Sequence, residues 1–493
     1  MGLLTLPPAQ PFYAGGWQDV STNDRIDVVN PATEEVLGSV AAGARSDAEA
    51  AIAAARTAFD DGRWSELAGR ERASHLRRFQ KVLASRVDAI AALVIAEVGT
   101  TVAAARSHQV GLPIEHLEYW AEMAARPELS AVPPQVVPRS SGSVLGSWAI
   151  RREPVGVVAA ITAYNFPFLL NVMKVGPALA AGNTVVLKPS PYTPYSALVL
   201  AEAAAEAELP AGVLNVVPGD TDVGTALTTD RRVDLVSFTG SDAVGAAIMA
   251  QAAPTLKRVV LELGGKSPLI VRADADLDLA ASIGLQNFTF HAGQGCALCT
   301  RHLVHRSVQD AYVEKVAALG AGLVVGDPSD PATQMGPLIR PVAVERTEEY
   351  VAKGVADGAE VALGGRRPSH LSKGYFYEPT LLTGVDNTWP VAREEIFGPV
   401  AVVVAFDTDE EAVALANDSE YGLDGHVVSA DAGVAFELAC RLRTGGVSIN
   451  GGAGTTNPAV PFGGYKRSGI GRENGEQGLD EYVQLKTIKY HAG

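Results

Sequence analysis

Three cysteines in 493 residues are too few, and odd in number, to staple a secreted scaffold of this size, and their scarcity fits a reducing compartment. The opening segment MGLLTLPPAQPF has no basic region and no apolar core long enough for a signal peptide. Leu6 stands where a myristoylation signal needs Ser or Thr, so a cytoplasmic protein is expected. Positive charge is short as well. Lys and Arg number 40 against 56 Asp and Glu, a formal net charge of -16, and no basic run makes a local exception, so nucleic acid and anionic membranes are not expected partners. The dinucleotide fingerprint G-x-G-x-x-G is missing, which leaves a plain Rossmann assignment unsupported. LELGGKS imitates a phosphate loop, but the first glycine that such a loop requires is replaced by Val260.

What is present is an ordinary globular composition, 47% hydrophobic and 19% charged, long enough for two or three domains. Residues 155–173 are uncharged and long enough to tempt a membrane reading. Asn165 and Pro167 interrupt them, and Val, Ile and Thr crowd the first half, so a buried strand, a loop and a helix are expected instead. Residues 48–59 and 70–97 are Ala-rich amphipathic stretches, with helical sequence continuing to about residue 125. Prolines and alternating residues in VPPQVVPRSSGSVLGSWAIRREP suit a β-excursion or linker. From residue 154 onward short apolar strands and helices take turns: VGVVAAIT, TVVLKP, VLNVVPG, LVSFTGS and RVVLELGG, then SPLIVR, RHLVH, AVVVAF and GGVSIN. The fold class is therefore α/β, with two doubly wound parallel-sheet domains whose ligands sit at the carboxyl ends of the strands. FTGSDAVG, entered by a strand and opening a helix, is the best-placed turn for a pyrophosphate.

FHAGQGCALCTR, residues 290–301, holds two of the three cysteines. His291, Cys296, Cys299, His302 and His305 lie close together, which keeps a zinc site in view. No second Cys or His cluster faces them, however, and structural zinc wants paired clusters at set spacings, so no metal is expected. A thiol-exchange C-x-x-C would sit between strand and helix in a small domain, unlike this one. The remaining reading is a single thiolate nucleophile, which needs an oxyanion donor and a base for the second step.

ELGGKSP, followed about thirty residues later by GQGC, resembles the paired signatures of the aldehyde dehydrogenase superfamily. YNFP, GPALAAGNTVVLKPS, SFTGS, EEIFGPV and PFGGYKRSGIGRE extend the likeness in the family's order over nearly the whole chain. The resemblance implies that Cys296 attacks an aldehyde to give a thiohemiacetal, that Asn165 donates to the oxyanion with the Cys296 backbone N–H, and that Glu262 activates water to hydrolyse the thioester. It implies NAD as cofactor, with Lys188 reaching the adenosine ribose, Glu395 the nicotinamide ribose and Phe397 beside the nicotinamide. Gly240 and Ser241 fall at the pyrophosphate, with Gly219 and Gly224 shaping the adenine-side turn. Ile161, Thr162, Ser190, Pro191, Phe238, Thr239, Val244, Leu263 and Gly264 complete the expected cofactor groove.

Pro191 departs from the pattern, because NAD-preferring members often carry a Glu there that repels a 2'-phosphate. NADP use thus stays open, although no Arg in KPSPYTP stands ready to clamp the extra phosphate. By the same resemblance Phe166, Leu170, Met173, Phe290 and Phe462 line a substrate tunnel, and such a lining favours an aromatic or medium-chain aliphatic aldehyde. Alternatives are a semialdehyde dehydrogenase, an acylating enzyme that passes the thioester to coenzyme A, or the zinc protein. The expected organisation is a cofactor domain of residues 1–130 and 151–263, a catalytic domain of 264–464, and an oligomerisation element of 131–150 and 478–493. Its alternating tail EYVQLKTIKY invites pairing in a homodimer or homotetramer. Cys299 stands three residues from Cys296, a spacing that raises an inactivating disulfide as a further expectation.

Overall fold

The computed structural model describes residues 4–20, 22–140, 142–452 and 457–491. Its first sheet is built on five parallel strands in the spatial order Arg258–Glu262, Leu235–Thr239, Val157–Ile161, Thr184–Lys188, Leu214–Val216. Val157–Ile161, Thr184–Lys188 and Leu235–Thr239 are buried at every position, which is why they read as unbroken apolar runs rather than alternating ones. The chain winds outward from Val157–Ile161 in one direction and then restarts beside it with Leu235–Thr239. The carboxyl ends of those two neighbours mark the switch point, where an open α/β sheet leaves a crevice. Short antiparallel strands close both edges: Phe12–Tyr13 beside Leu214–Val216, and Gly469–Ile470 beside Arg258–Glu262.

The second sheet runs Glu360–Leu363, Thr380–Thr383, Val400–Phe406, Arg301–His305, Pro268–Val271, His426–Val428, Ser448–Ile449, and only its first pair is antiparallel. The uncharged stretch after residue 155 resolves into Val157–Ile161 and the helix Pro167–Ala180, which has proline in its first turn, where the missing N–H costs nothing. No helix among the described residues is long and apolar enough to cross a membrane.

One expectation needs correction. Residues 70–97 form two helices, Gly69–Ala84 and Val87–Val98, the second ended by Gly99 at φ 75°; amphipathic periodicity continued across a break that only the packing reveals. Helical sequence toward residue 125 includes a π-helical segment, Ala105–Gly111, before Leu112–Ala124.

The β-excursion is a long hairpin, Leu129–Arg139 and Gly142–Pro154, whose inner strand pairs with the tail strand Val483–His491. Pro133 and Pro134 fall where the hairpin register shifts between Val132 and Gln135, on an edge strand that can spare their missing donors.

Arg301 binds the second sheet to its helical cover. Fully buried, it donates from Nη1 to Asn387 Oδ1 at 2.9 Å and Leu415 O at 2.8 Å, and from Nη2 to Ala416 O at 2.9 Å. Those carbonyls end the helix Asp409–Asn417, so the cation serves as its cap. Replacing Arg301 with Leu strands these acceptors and is expected to cost about 2–4 kcal/mol, measured as an earlier urea unfolding midpoint.

Candidate active site

Four neighbouring parallel strands end on residues that face one cleft: Ile161, Lys188, Thr239 and Glu262. The cleft encloses a cavity of about 760 Å³, and Asn165, Glu262 and Cys296 all line it. Every residue expected in the cofactor groove lines it too, except Gly219. A Cβ on Gly219 would lie 2.5 Å from the Val223 side chain, so that glycine permits close packing beneath the turn. Of the five expected substrate residues only Phe166 and Leu170 reach the cavity. Met173 is buried in its helix away from the lining. Phe290 stacks behind Phe166, ring centroids 6.1 Å apart, and His108 meets Phe290 edge-on at 5.5 Å. Phe462 is placed by its backbone, which exchanges two hydrogen bonds of 2.7 Å with Glu473.

Cys296 is carried by the loop between the helix Leu277–Thr289 and the strand Arg301–His305. Gln294, fully buried, anchors that loop: it donates to His291 O at 3.1 Å and Pro337 O at 3.3 Å and accepts from Ile339 N at 3.0 Å. Asn165 Nδ2 donates to Gln294 O at 2.9 Å, which fixes the amide beside the cysteine and leaves its second N–H for a ligand. Gly265 lets the second loop approach, since a Cβ there would lie 2.4 Å from Cys296 O.

Neither oxygen of Glu262 has a hydrogen-bond partner among the described residues, and the side chain is buried. Burial, then the charge of Glu473, pushes its pKa well above the usual carboxylate range, against the opposing pull of Lys174 and Arg472. Behind it Lys174 Nζ pairs with Glu473 Oε1 at 2.5 Å and donates to Ser237 Oγ at 3.1 Å. The Cys296 thiol is raised by burial first and by the negative charges of Glu262 and Glu395 next.

Glu395 accepts from Gly265 N at 3.0 Å, and burial raises it to about 7. Lys188 is lowered to about 8 by burial, partly opposed by Asp220. Ser241 caps the helix Asp242–Ala252, whose free N–H groups face the cavity end lined by Gly240 and Val244. A Cβ on Gly240 would strike the Phe238 ring at 2.3 Å, and one on Gly264 would strike Glu395 at 2.5 Å. An anion-accepting helix end, a buried lysine, a buried carboxylate and bare backbone along one groove fit a dinucleotide.

The histidines do not converge with the cysteines. His302 uses Nε2 on Cys299 O at 3.1 Å and Nδ1 on Tyr312 OH at 2.9 Å. Among the described residues no three His, Cys, Asp or Glu gather to hold a metal. Cys299 packs fully buried in the core of the second sheet, off the cavity. The sequence reading missed Tyr164, Tyr192, Asp220, Arg340 and Arg346, which also line the cavity. Tyr164 sits inside YNFP and was within reach, whereas the arginines lie in no motif.

Fold and site together define a two-sheet α/β protein with a thiol and a carboxylate at the mouth of a nucleotide-type crevice. The chain belongs to the aldehyde dehydrogenase family, whose model matches residues 17–488. It is 40% identical over 485 residues to geranial dehydrogenase of Castellaniella defragrans, covering 98% of this chain and 99% of that one. It is also 40% identical over 480 residues to the mitochondrial succinate-semialdehyde dehydrogenase of Arabidopsis thaliana, covering 97% and 88%. The crystal structure of betaine aldehyde dehydrogenase from Staphylococcus aureus in complex with NAD+ superposes with a TM-score of 0.95 at 36% identity, covering 100% of this chain and 96% of that one.

Because Gly265 sets the position of the Cys296 backbone, Gly265→Ala is expected to lower kcat/KM about 100-fold while the protein still folds, measured by steady-state kinetics alongside circular dichroism.

Proposed function

We propose that the protein oxidises an apolar aldehyde to its carboxylic acid with NAD, through a thioester on Cys296. The observation that carries this reading is the meeting of Cys296, Asn165 and the partnerless carboxyl of Glu262 on one cavity wall. The Cys296 thiol gives up its proton to water as its sulfur forms a bond to the aldehyde carbon, and the carbonyl electron pair moves to oxygen. Asn165 Nδ2 and the Cys296 N–H hold that oxygen, the arrangement that stabilises developing charge most effectively in a dry site. Glu395, Phe397, Lys188 and the Ser241 helix end would hold NAD, which when bound would supply a positive ring charge near the thiol and the acceptor for the hydride that leaves the substrate carbon as the oxygen's electron pair re-forms the carbonyl of the thioester. Glu262 then takes a proton from water, the hydroxide attacks the thioester carbon, and the carbon–sulfur bond breaks to release acid and thiolate.

The substrate class rests on Phe166 and Leu170 in the cavity and on Phe290 and His108 behind them. Arg346 is turned to Glu395 O at 2.6 Å and Ile396 O at 3.1 Å, and Arg340 lies 4.7 Å over the Tyr192 ring. Both guanidiniums are thus engaged by the protein's own groups. The geranial dehydrogenase relative agrees with an apolar aldehyde. The domain division expected from the sequence and a homodimer or homotetramer joined through the three-stranded sheet, where Val136, Leu145 and Leu485 are exposed, belong to the same proposal.

Aromatic and medium-chain aldehydes, tested beside charged semialdehydes, are expected to reduce NAD. Turnover confined to the semialdehydes, or acyl-CoA formed only when coenzyme A is added, would overturn the proposal. Because the raised Glu262 is protonated at low pH and the base form is needed, hydrolysis is expected to speed up as pH rises. Glu262→Gln is expected to lower kcat by about 10²–10⁴-fold and to flatten that rise.

A further inference from the structure

The sequence raises a cofactor question through Pro191, a neutral residue where an acid often excludes a 2'-phosphate. The structure places another carboxylate at the same end of the cavity. Asp220 lines the wall together with Lys188, Ser190, Pro191 and Thr221. It follows Leu214–Val216, the strand that pairs with Thr184–Lys188 so that Val216 lies opposite Leu187. Lys188 therefore ends one strand, and Asp220 follows the end of the adjacent parallel strand by four residues, where it precedes the helix Thr221–Thr229. Gly224, one turn into the helix Thr221–Thr229, packs on the Lys188 stem, where a Cβ would lie 3.7 Å from Lys188 Cε. Asp220 caps this helix through Oδ1, which accepts from Asp222 N at 3.0 Å, while Oδ2 has no partner among the described residues. The exposed Asp222 does not line the cavity.

We infer that Asp220 is the residue that selects NAD over NADP, supplying from the next strand the negative charge that Pro191 lacks. A ribose 2'-hydroxyl can donate to the free Oδ2, as an acid at a strand end does in dinucleotide-binding folds. A 2'-phosphate brings about 1.5–2 negative charges and three acceptor oxygens, with nothing for a carboxylate to receive. Lys188 alone opposes that repulsion, and its Nζ already donates to Pro189 O at 3.3 Å. Arg340 is engaged by the residue that follows Pro191. It stacks over Tyr192 and hydrogen-bonds the Tyr192 hydroxyl, and Tyr192 meets Tyr164, which in turn meets Phe397, each pair edge-on at 6.0 Å.

The inference rests on the NAD-linked reading above but is tested without turnover. Binding of NAD and of NADP to the full-length protein is titrated by calorimetry in low salt, with no aldehyde present. The wild type is expected to bind NADP at least about tenfold more weakly than NAD, and Asp220→Ser and Asp220→Asn, which both keep a helix-capping acceptor, are expected to narrow that gap by about tenfold. Raising the salt is expected to narrow the wild-type gap more than the gap in either variant. Asp222→Ser, one turn position away and off the cavity, is expected to leave the gap as it is. Equal binding of both cofactors by the wild type, an unchanged gap in both Asp220 variants, or an equal narrowing in Asp222→Ser would overturn the assignment. Failure to oxidise any aldehyde would instead count against the proposed activity and leave these binding ratios standing.

Discussion

A carboxyl group held dry and without a partner is the constraint around which the rest of the molecule is arranged. Glu262 ends an interior strand, both of its oxygens are unpaired, and burying such a group without a hydrogen bond lowers stability, a cost that the surrounding structure must offset. The surroundings meet that need from three directions. Gly240 N donates to Glu262 O at 3.0 Å, Leu263 N donates to Ser468 O at 2.9 Å, and Ser468 Oγ donates to Gly264 O at 2.7 Å. The Lys174–Glu473 pair sits behind, and Gly463 passes so close that a Cβ would lie 2.6 Å from Glu262 Oε1. The backbone on both sides of the carboxyl is thus fixed while the carboxyl itself stays free for a ligand.

The two sheets divide the work. Strand ends of the first sheet supply the groove and the carboxyl, and the loop before the strand Arg301–His305 supplies the thiol. Bare backbone lets their loops meet: Gly265 lies against Cys296 O, and within the second sheet's own loops Gly293 is so near Gly398 O that a Cβ would lie 2.1 Å away. Glycine recurs in ELGGKS, GQGC and FGP because chain passes chain there with no room for side chains.

Much of this was legible in the sequence, for reasons that differ by element. The interior strands were readable because burial on both faces leaves continuous apolar runs. Cys296, Asn165 and Glu262 were readable because each lies in a motif that is itself a loop of required shape. The helix break at Ser85 was not, since periodicity persists through it, and neither was the position of Met173, which shares a helix with Leu170 yet faces the core. Lys174 and Glu473 lie 299 residues apart, and Asp220 meets Lys188 only because adjacent strands align. Such long-range pairs leave no local pattern, although a lysine in the apolar helix Pro167–Ala180 was a hint that a buried partner existed.

The central claim is that Cys296 carries the acyl group and Glu262 releases it. The most direct measurement is the intact mass of Glu262→Gln after mixing with an apolar aldehyde and NAD, followed by peptide mapping. The account expects a stable adduct with the mass of the aldehyde less two hydrogens, located on Cys296. No adduct, or one on Cys299 or Cys440, would contradict it.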